Sequence, residues 1–387
     1  MQEAQDMMLS LDQNSAQLLR AVVRPCEEAT IALLASKIHS WDRALDLARS
    51  HKIVPMLYAR LDANRKHLPA EVLGLIRREF ERNALHCLTN AEELLKILQD
   101  FDSAKIPAMP FKGVVLGASA YGDLTARNAG DLDLLIHYHD LQRATLMLKQ
   151  RGYQLMSKVR EDGTPAVEDG FEFHFERPSD GMVLELRWRL ELTQPRYRYN
   201  LGMDWVWPRR RSAKVAGADV PDMDPVSCLL VLCMHGTKHV WSRLAWICDV
   251  AKLVESTPGL DWDFTQQEAK RVGLARSLEL GVLLAQRVAG ARVPVEVLHR
   301  FERDRTIRKL AEFLDQSLME RPRKMPSGWV PYNIKILGFR DRARAILSPA
   351  FLRPNPRDRA WIKLPKALDS LYFVIRPVRI LLDRTGR

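Results

Sequence analysis

The chain has 387 residues, 47% of them hydrophobic and 28% charged, with a formal net charge of +11. That composition excludes a disordered or low-complexity chain, and the length exceeds the roughly 250–300 residues at which a single core stops growing, so more than one packed unit is expected. The excess of Lys and Arg suits a polyanionic partner such as a nucleotide, a nucleic acid or an anionic membrane surface, and equally a solvated basic surface. Five cysteines (Cys26, Cys87, Cys228, Cys233 and Cys248) form no CxxC pair. Their odd number and irregular spacing argue against a disulfide framework and for a reducing compartment. The first residues lack the basic-then-apolar pattern of a secretory signal, and no apolar run of about 18 residues occurs. Cytoplasmic placement without a transmembrane helix is therefore the expectation.

In chain order, residues 1–100 read as a helical scaffold. Apolar residues recur at helical steps in Ala44–Ala48, Val72–Ile76 and Leu94–Leu98, punctuated by Pro55, Pro69 and Pro107. Ser40 or Asp42 is placed to cap the helix that runs to about Ser50. The texture changes after 105. Ile106–Phe111 reads as a short buried strand despite two prolines, and Lys112-Gly113 leads into a helix over Val114–Tyr121. Asp131–Ile136 reads as a strand and Leu141–Arg151 as a helix with Gly152 at its C′ position. Tyr153–Met156, Phe171–Glu176 and Met182–Leu190 read as further strands. That order predicts a mixed sheet with helices packed on it. The helical pattern returns over Pro225–Glu255, as one helix or two, then over Leu274–Val288 and Thr306–Met319. From Arg321 the chain is rich in Arg and Pro, and 361–382 mixes apolar with basic residues. Such a tail suits docking back on its own fold, with an anionic membrane or RNA as the alternative.

The chemistry concentrates in Gly130-Asp131-Leu132-Asp133. On a strand, residues two apart share a face, so Asp131 and Asp133 put two carboxylates side by side while Leu132 and Leu134 point into a core. Adjacent like charges call for something positive between them, and Mg²⁺ prefers hard oxygen ligands together with substrate phosphates. Glu185, in the alternating Val183-Leu-Glu-Leu-Arg187, is the candidate third acid. The bland alternative is that Glu185 pairs with Arg187. Lys112-Gly113 offers a compact charge and a close backbone approach for phosphate, or is simply a turn. His235 and His239 lie four apart on one helix face. With Cys228 and Cys233 they match no zinc spacing, and a packing role is favoured.

Taken together, Phe111-Lys-Gly-Val, Tyr121-Gly-Asp, Arg127-Asn-Ala-Gly-Asp-Leu-Asp-Leu-Leu-Ile136 and Leu184-Glu-Leu-Arg-Trp188 resemble the uncharacterised nucleotidyltransferase family of the DNA-polymerase-beta-like superfamily. So does His235-Gly-Thr-Lys-His239, followed by Trp241, Arg243, Trp246 and Asp249. The last strand departs from the family in carrying Arg187 where His is common. The turn before the acids is Lys-Gly rather than the Gly-Ser common in the superfamily. The resemblance implies an α+β fold, a minimal nucleotidyltransferase core with a short mixed sheet, flanked by N- and C-terminal helical regions. Its expected divisions are a helical region over 1–100, the core over 101–215, a helical domain over 216–320 and a basic tail over 321–387.

The resemblance also implies an Mg²⁺-dependent (or Mn²⁺-dependent) transfer of a nucleoside monophosphate from an NTP to an acceptor hydroxyl or phosphate. The acceptor could be a small molecule, sugar, peptide or RNA, and an involvement in natural-product or polysaccharide biosynthesis fits. Asp131, Asp133 and Glu185 are the expected metal-binding and catalytic residues. Lys112, Gly113, Arg127, Gly130, His239 and Arg243 are expected around the nucleotide, Tyr121 is expected to pack against the sheet, and Asp249 is expected to pair with Arg243. The alternative is a non-catalytic, nucleotide-binding regulatory protein on the same fold.

Overall fold

A computed structural model describes residues 13–157, 171–190 and 201–319, together with Ile336, Asp358 and part of 361–379. Much of the basic tail, and with it most of the docking expectation, lies outside the described residues. Within the described part, Arg376 and Arg379 both pair with the buried Asp358 (2.9 and 2.7 Å).

The N-terminal part is helical, as its periodicity predicts, with α1 (Glu28–Ser36), α2 (Trp41–Ser50), α3 (Val54–Ala63) and α4 (Ala70–Ser103). Ser40 takes the N-cap position of α2, although its side chain makes no capping hydrogen bond. The apolar sets at 72–76 and 94–98 belong to a single helix, α4, of 34 residues. Its buried stripe Cys87, Ala91, Leu94, Ile97 and Phe101 advances in steps of three and four, which keeps one face toward the core.

The sheet has five strands in the order β1-β2-β5-β4-β3: β1 (Ala108–Pro110), β2 (Leu132–Ile136), β3 (Gln154–Leu155), β4 (Glu172–Arg177) and β5 (Met182–Arg187). β2 and β5 run parallel and every other pair is antiparallel, so the sheet is mixed. Both prolines fall outside its centre, in keeping with the missing N–H of proline, because β1 is an edge strand. After β1 come α5 (Gly113–Leu116) and a π-helical turn over Gly117–Tyr121, and α6 (Leu141–Gln150) covers the sheet between β2 and β3. Gly152 closes α6 at φ 87°, in the left-handed region. Beyond β5 the chain forms α7 (Met203–Val206) and a hairpin, β6 (Arg211–Val215) with β7 (Ala218–Asp222). The hairpin's two-residue turn has Ala216 and Gly217 both at positive φ, as such turns require, and it is absent from the sequence reading.

The helices α8 (Pro225–Lys238), α9 (Leu244–Glu255), α10 (Trp262–Arg271), α11 (Ala275–Ala289), α12 (Val295–Glu302) and α13 (Arg305–Ser317) follow, and a 3₁₀ turn spans Lys366–Leu371. The 225–255 segment is two helices, broken where Val240 and Trp241 both take positive φ. No helix of the described residues is long and apolar enough to cross a membrane.

Two hydrophobic cores result. In one, α4 packs on the back of the sheet, against Leu132, Leu134, Phe173, Phe175, Leu184 and Leu186. In the other, the first helices pack with α8–α13, and Leu57, Leu229, Ile247, Leu283 and Leu310 share one cluster. Leu135 and Phe111, from the front of the sheet, join this second core. The front face of β2 thus meets the helical wall, and the candidate site lies in that seam.

A polar hub ties α7 and the turn after it to α10. Glu268 accepts hydrogen bonds from Trp205 Nε1 (2.6 Å), Arg209 Nη1 (3.2 Å) and Arg271 Nε (2.6 Å). The hydrogen bond from Arg271, followed by those from Trp205 and Arg209, holds its carboxyl down to about 2, against an ordinary 4.5. A carboxylate depressed by folding contributes stability above its unfolded value and loses it as pH falls through the folded one. Stability should therefore drop by about 2 kcal/mol between roughly pH 4.5 and 2 on account of Glu268. A Glu268→Gln chain should lack that part of the acid transition in chemical melts followed across the same range.

Candidate active site

The loop before β2 is held from behind by the long helix. Asn83 Nδ2 donates to the carbonyls of Thr125 (3.2 Å) and Arg127 (3.3 Å), and His86 Nε2 donates to Gly130 O (2.8 Å). These contacts fix where Asp131, one residue ahead of β2, enters the sheet. Asp133 sits inside β2, opposite Glu185 of β5 in the parallel pairing. His174 of β4 is opposite Glu185, and Glu172 is opposite Arg187. Period-two alternation therefore lines Asp133, Glu185, Arg187, Glu172 and His174 along one face of three strands. Asp131, Asp133 and Glu185 line one cavity. Glu172 and His174 join them, and the sequence reading misses both.

The electrostatics follow from burial. Asp133 is only 6% exposed on its side chain, and burial raises its carboxyl above the ordinary range against the pull of Lys112 and Arg187. Burial, then the neighbouring Asp133, raises Asp131 likewise. Lys112 Nζ stands 3.9 Å from Asp133 Oδ2, and burial lowers its ammonium from the usual value. Arg187 is buried too, which works against its charge, but Asp133, Glu172 and Glu185 more than offset this and raise it. Arg187 hydrogen bonds to Glu185, so the pairing that the sequence offers as the bland alternative does form, inside the carboxylate cluster.

Lys112 (φ 55°) and Gly113 (φ 42°) turn the chain from β1 into α5 through the left-handed region, which favours glycine at the second position. Gly113 O accepts a hydrogen bond from Arg127 Nη1 (2.8 Å). The sequence leaves Asp249 to Arg243, and the structure corrects that pairing. Asp249 Oδ1 accepts from Arg127 Nε (3.1 Å) and from the Tyr121 hydroxyl (2.7 Å), and Oδ2 accepts from Arg127 Nη2 (2.9 Å). Arg127 borders the cavity, yet each of its guanidinium nitrogens already has a protein partner. It staples the Lys112-Gly113 turn to α9.

The opposite wall comes from the α8–α9 corner. His235, Lys238 and His239 end α8, and Arg243 and Trp246 begin α9. Together with Lys52 and the sheet residues they enclose about 550 Å³. His235, His239 and Trp246 form a ring cluster with centroids 4.6–5.3 Å apart, and the Arg243 guanidinium lies 5.1 Å over Trp246. Burial takes His235 well below, and His239 down to about 4, so both imidazoles are neutral at neutral pH. Among the described residues, neither belongs to a group placed to hold a metal. Among the described residues the one cluster of three or more His, Cys, Asp or Glu side chains with that geometry is Glu172, His174 and Glu185.

Gly236 owes its identity to packing. A Cβ there would lie 2.4 Å from the Trp241 ring, which the positive-φ turn folds back onto α8. Gly236→Ala should cost about 2 kcal/mol through overpacking, read as a lower midpoint in thermal melts.

A profile of the uncharacterised nucleotidyltransferase family matches residues 39–290. The chain belongs to that family. The nucleotidyltransferase match spans α2 to α11, the whole sheet and the α8–α9 corner, so all the residues of the cavity fall inside it. No curated protein matches the chain. Among solved structures it is similar to the antibiotic-resistance factor ANT(2'')-Ia, at 16% identity over 55% of this chain and 97% of that one, with a TM-score of 0.27. It is also similar to an antigenic nucleotidyltransferase-like protein from Paracoccidioides brasiliensis, at 16% identity over 49% of this chain and 93% of that one, again with a TM-score of 0.27.

Proposed function

We propose that this nucleotidyltransferase is an Mg²⁺-dependent enzyme that transfers a nucleoside monophosphate from an NTP to an acceptor hydroxyl or phosphate. The observation that carries the reading is the register of Asp133 against Glu185, with Asp131 beside them, in a cavity whose far wall is basic. A divalent cation suits these residues. Asp133 Oδ2 has Lys112 Nζ only at 3.9 Å, beyond hydrogen-bond distance, and carboxylate oxygens are the hard ligands that Mg²⁺ takes. Asp131 and Asp133 would hold it, with Glu185 as the third acid. Bound there, the cation would neutralise charge on the transferring phosphate oxygens.

The chain's own groups account for the rest. Lys112, Lys238 and Arg243 face the cavity and offset the charge of the triphosphate, the Lys112-Gly113 backbone gives it close approach, and Trp246 offers the base an aromatic face. Glu185 Oε1, facing His174 Nδ1 at 3.6 Å, takes the proton as the acceptor oxygen bonds to the α-phosphorus. The bond from that phosphorus to the β-phosphate oxygen breaks, and pyrophosphate leaves.

The test uses pairs of NTPs labelled at the α- or the γ-phosphate, incubated with Mg²⁺ and panels of small-molecule, sugar, peptide and RNA acceptors. Label from the α-position alone should appear on an acceptor. Label from the γ-position would make the protein a kinase instead. A thermal shift with ATP that is the same in Mg²⁺ and in EDTA would favour the regulatory, non-catalytic reading.

A further inference from the structure

The guanidinium of Arg187 lies within the carboxylate cluster. Its Nε is 3.4 Å from Asp133 Oδ1, its Nη2 is 2.9 Å from Glu172 Oε2, and Nη2 also meets Glu185 Oε2. The group is clamped as well as paired. Its central carbon lies 5.8 Å from the Phe111 ring and 5.6 Å from the Phe171 ring, and the side chain is 9% exposed. A guanidinium keeps its proton in proteins, so it cannot vacate such a place by becoming neutral.

In a two-ion phosphoryl-transfer site the ions lie roughly 3.5–4 Å apart and clamp the attacking and leaving oxygens between them. Here Asp133 Oδ1, the buried oxygen such a pair would draw on, faces Arg187, and Glu185 and Glu172 face the same guanidinium. Asp133 Oδ2 faces Lys112 only at 3.9 Å, beyond hydrogen-bond distance, and stays open to an ion together with Asp131. We propose that Arg187 takes the place of the second divalent ion, so that this chain loads a single ion on Asp131 and Asp133. The inference rests on the nucleotidyltransferase reading of the site.

The experiment counts Mn²⁺ by electron paramagnetic resonance on the full chain with each of the four α,β-methylene ribonucleoside triphosphates, which bind but do not transfer. Wild type is expected to hold one ion per chain, with a six-line spectrum free of spin coupling. Arg187→Gln is expected to hold two, with the broadened signal of ions a few ångströms apart. Two coupled ions in the wild type would overturn the inference and leave the nucleotidyltransferase reading standing. No bound ion with any of the four would overturn both. The wild-type count decides by itself, even where the variant fails to fold.

Discussion

Asp133→Asn should abolish measurable transfer while leaving the fold in place. Asparagine matches the shape of aspartate but removes the charge that a cation needs. Losing an ion that stabilises transition-state charge costs several kcal/mol, and about 4 kcal/mol corresponds to roughly a thousandfold in rate. The melting midpoint should stay near that of the wild type. Burial already disfavours the ionised form of Asp133, and Arg187 keeps Glu172 and Glu185 as partners once that charge is gone. Rates from α-labelled NTP, set beside thermal melts, check both halves. Transfer within tenfold of the wild type would remove Asp133 from the chemistry.

The second large effect is on stability. Asp249→Ala should destabilise the protein by about 3–5 kcal/mol, the usual cost of breaking a buried ion pair from one side. Arg127 would be left with its charge buried, its side chain being 11% exposed against 2% for Asp249. The same substitution frees the Tyr121 hydroxyl, which burial and Asp249 both hold protonated. The double variant Arg127→Met with Asp249→Ala should cost less than Asp249→Ala alone, because no orphaned charge remains. Urea titrations of the two singles and the double close the cycle. Additive losses would mean that the pair is not the staple its geometry suggests.

The residues also show what a sequence can and cannot reveal here. The acidic pair and Glu185 are legible because alternation is local. Asp133 and Glu185 each sit between leucines, Asp131 lies two residues before Asp133, and period two assigns them a face. Glu172 and His174 carry the same alternating signal in Phe171-Glu-Phe-His-Phe175. Their position in the site depends on β4 pairing with β5 in one register, which is a long-range fact. Arg127 lies close in sequence to the acids and so reads as a phosphate ligand. Its partner is 122 residues away on α9, where local pattern says nothing of it. The identity of Gly236 has no local signal, and only the folded-back Trp241 explains it. The break in the 225–255 segment hides for a related reason, since Val240 and Trp241 are unusual residues for positive φ and tertiary packing imposes it.

The five thiols divide between exposure and burial in a way that makes the protein its own unfolding gauge. Cys26 is partly exposed, whereas Cys87 lies in the sheet core and Cys228, Cys233 and Cys248 lie in or against the helical one. Burial pushes all four of these thiols up, so little reactive thiolate forms while the chain is folded. Pulsed alkylation at mildly alkaline pH should mark Cys26 at once and the others only as their surroundings open. Cys87 then times the release of α4 from the sheet, and Cys233 times the parting of α8 from α11. The order of labelling would show whether the two halves that flank the cavity come apart together or in turn.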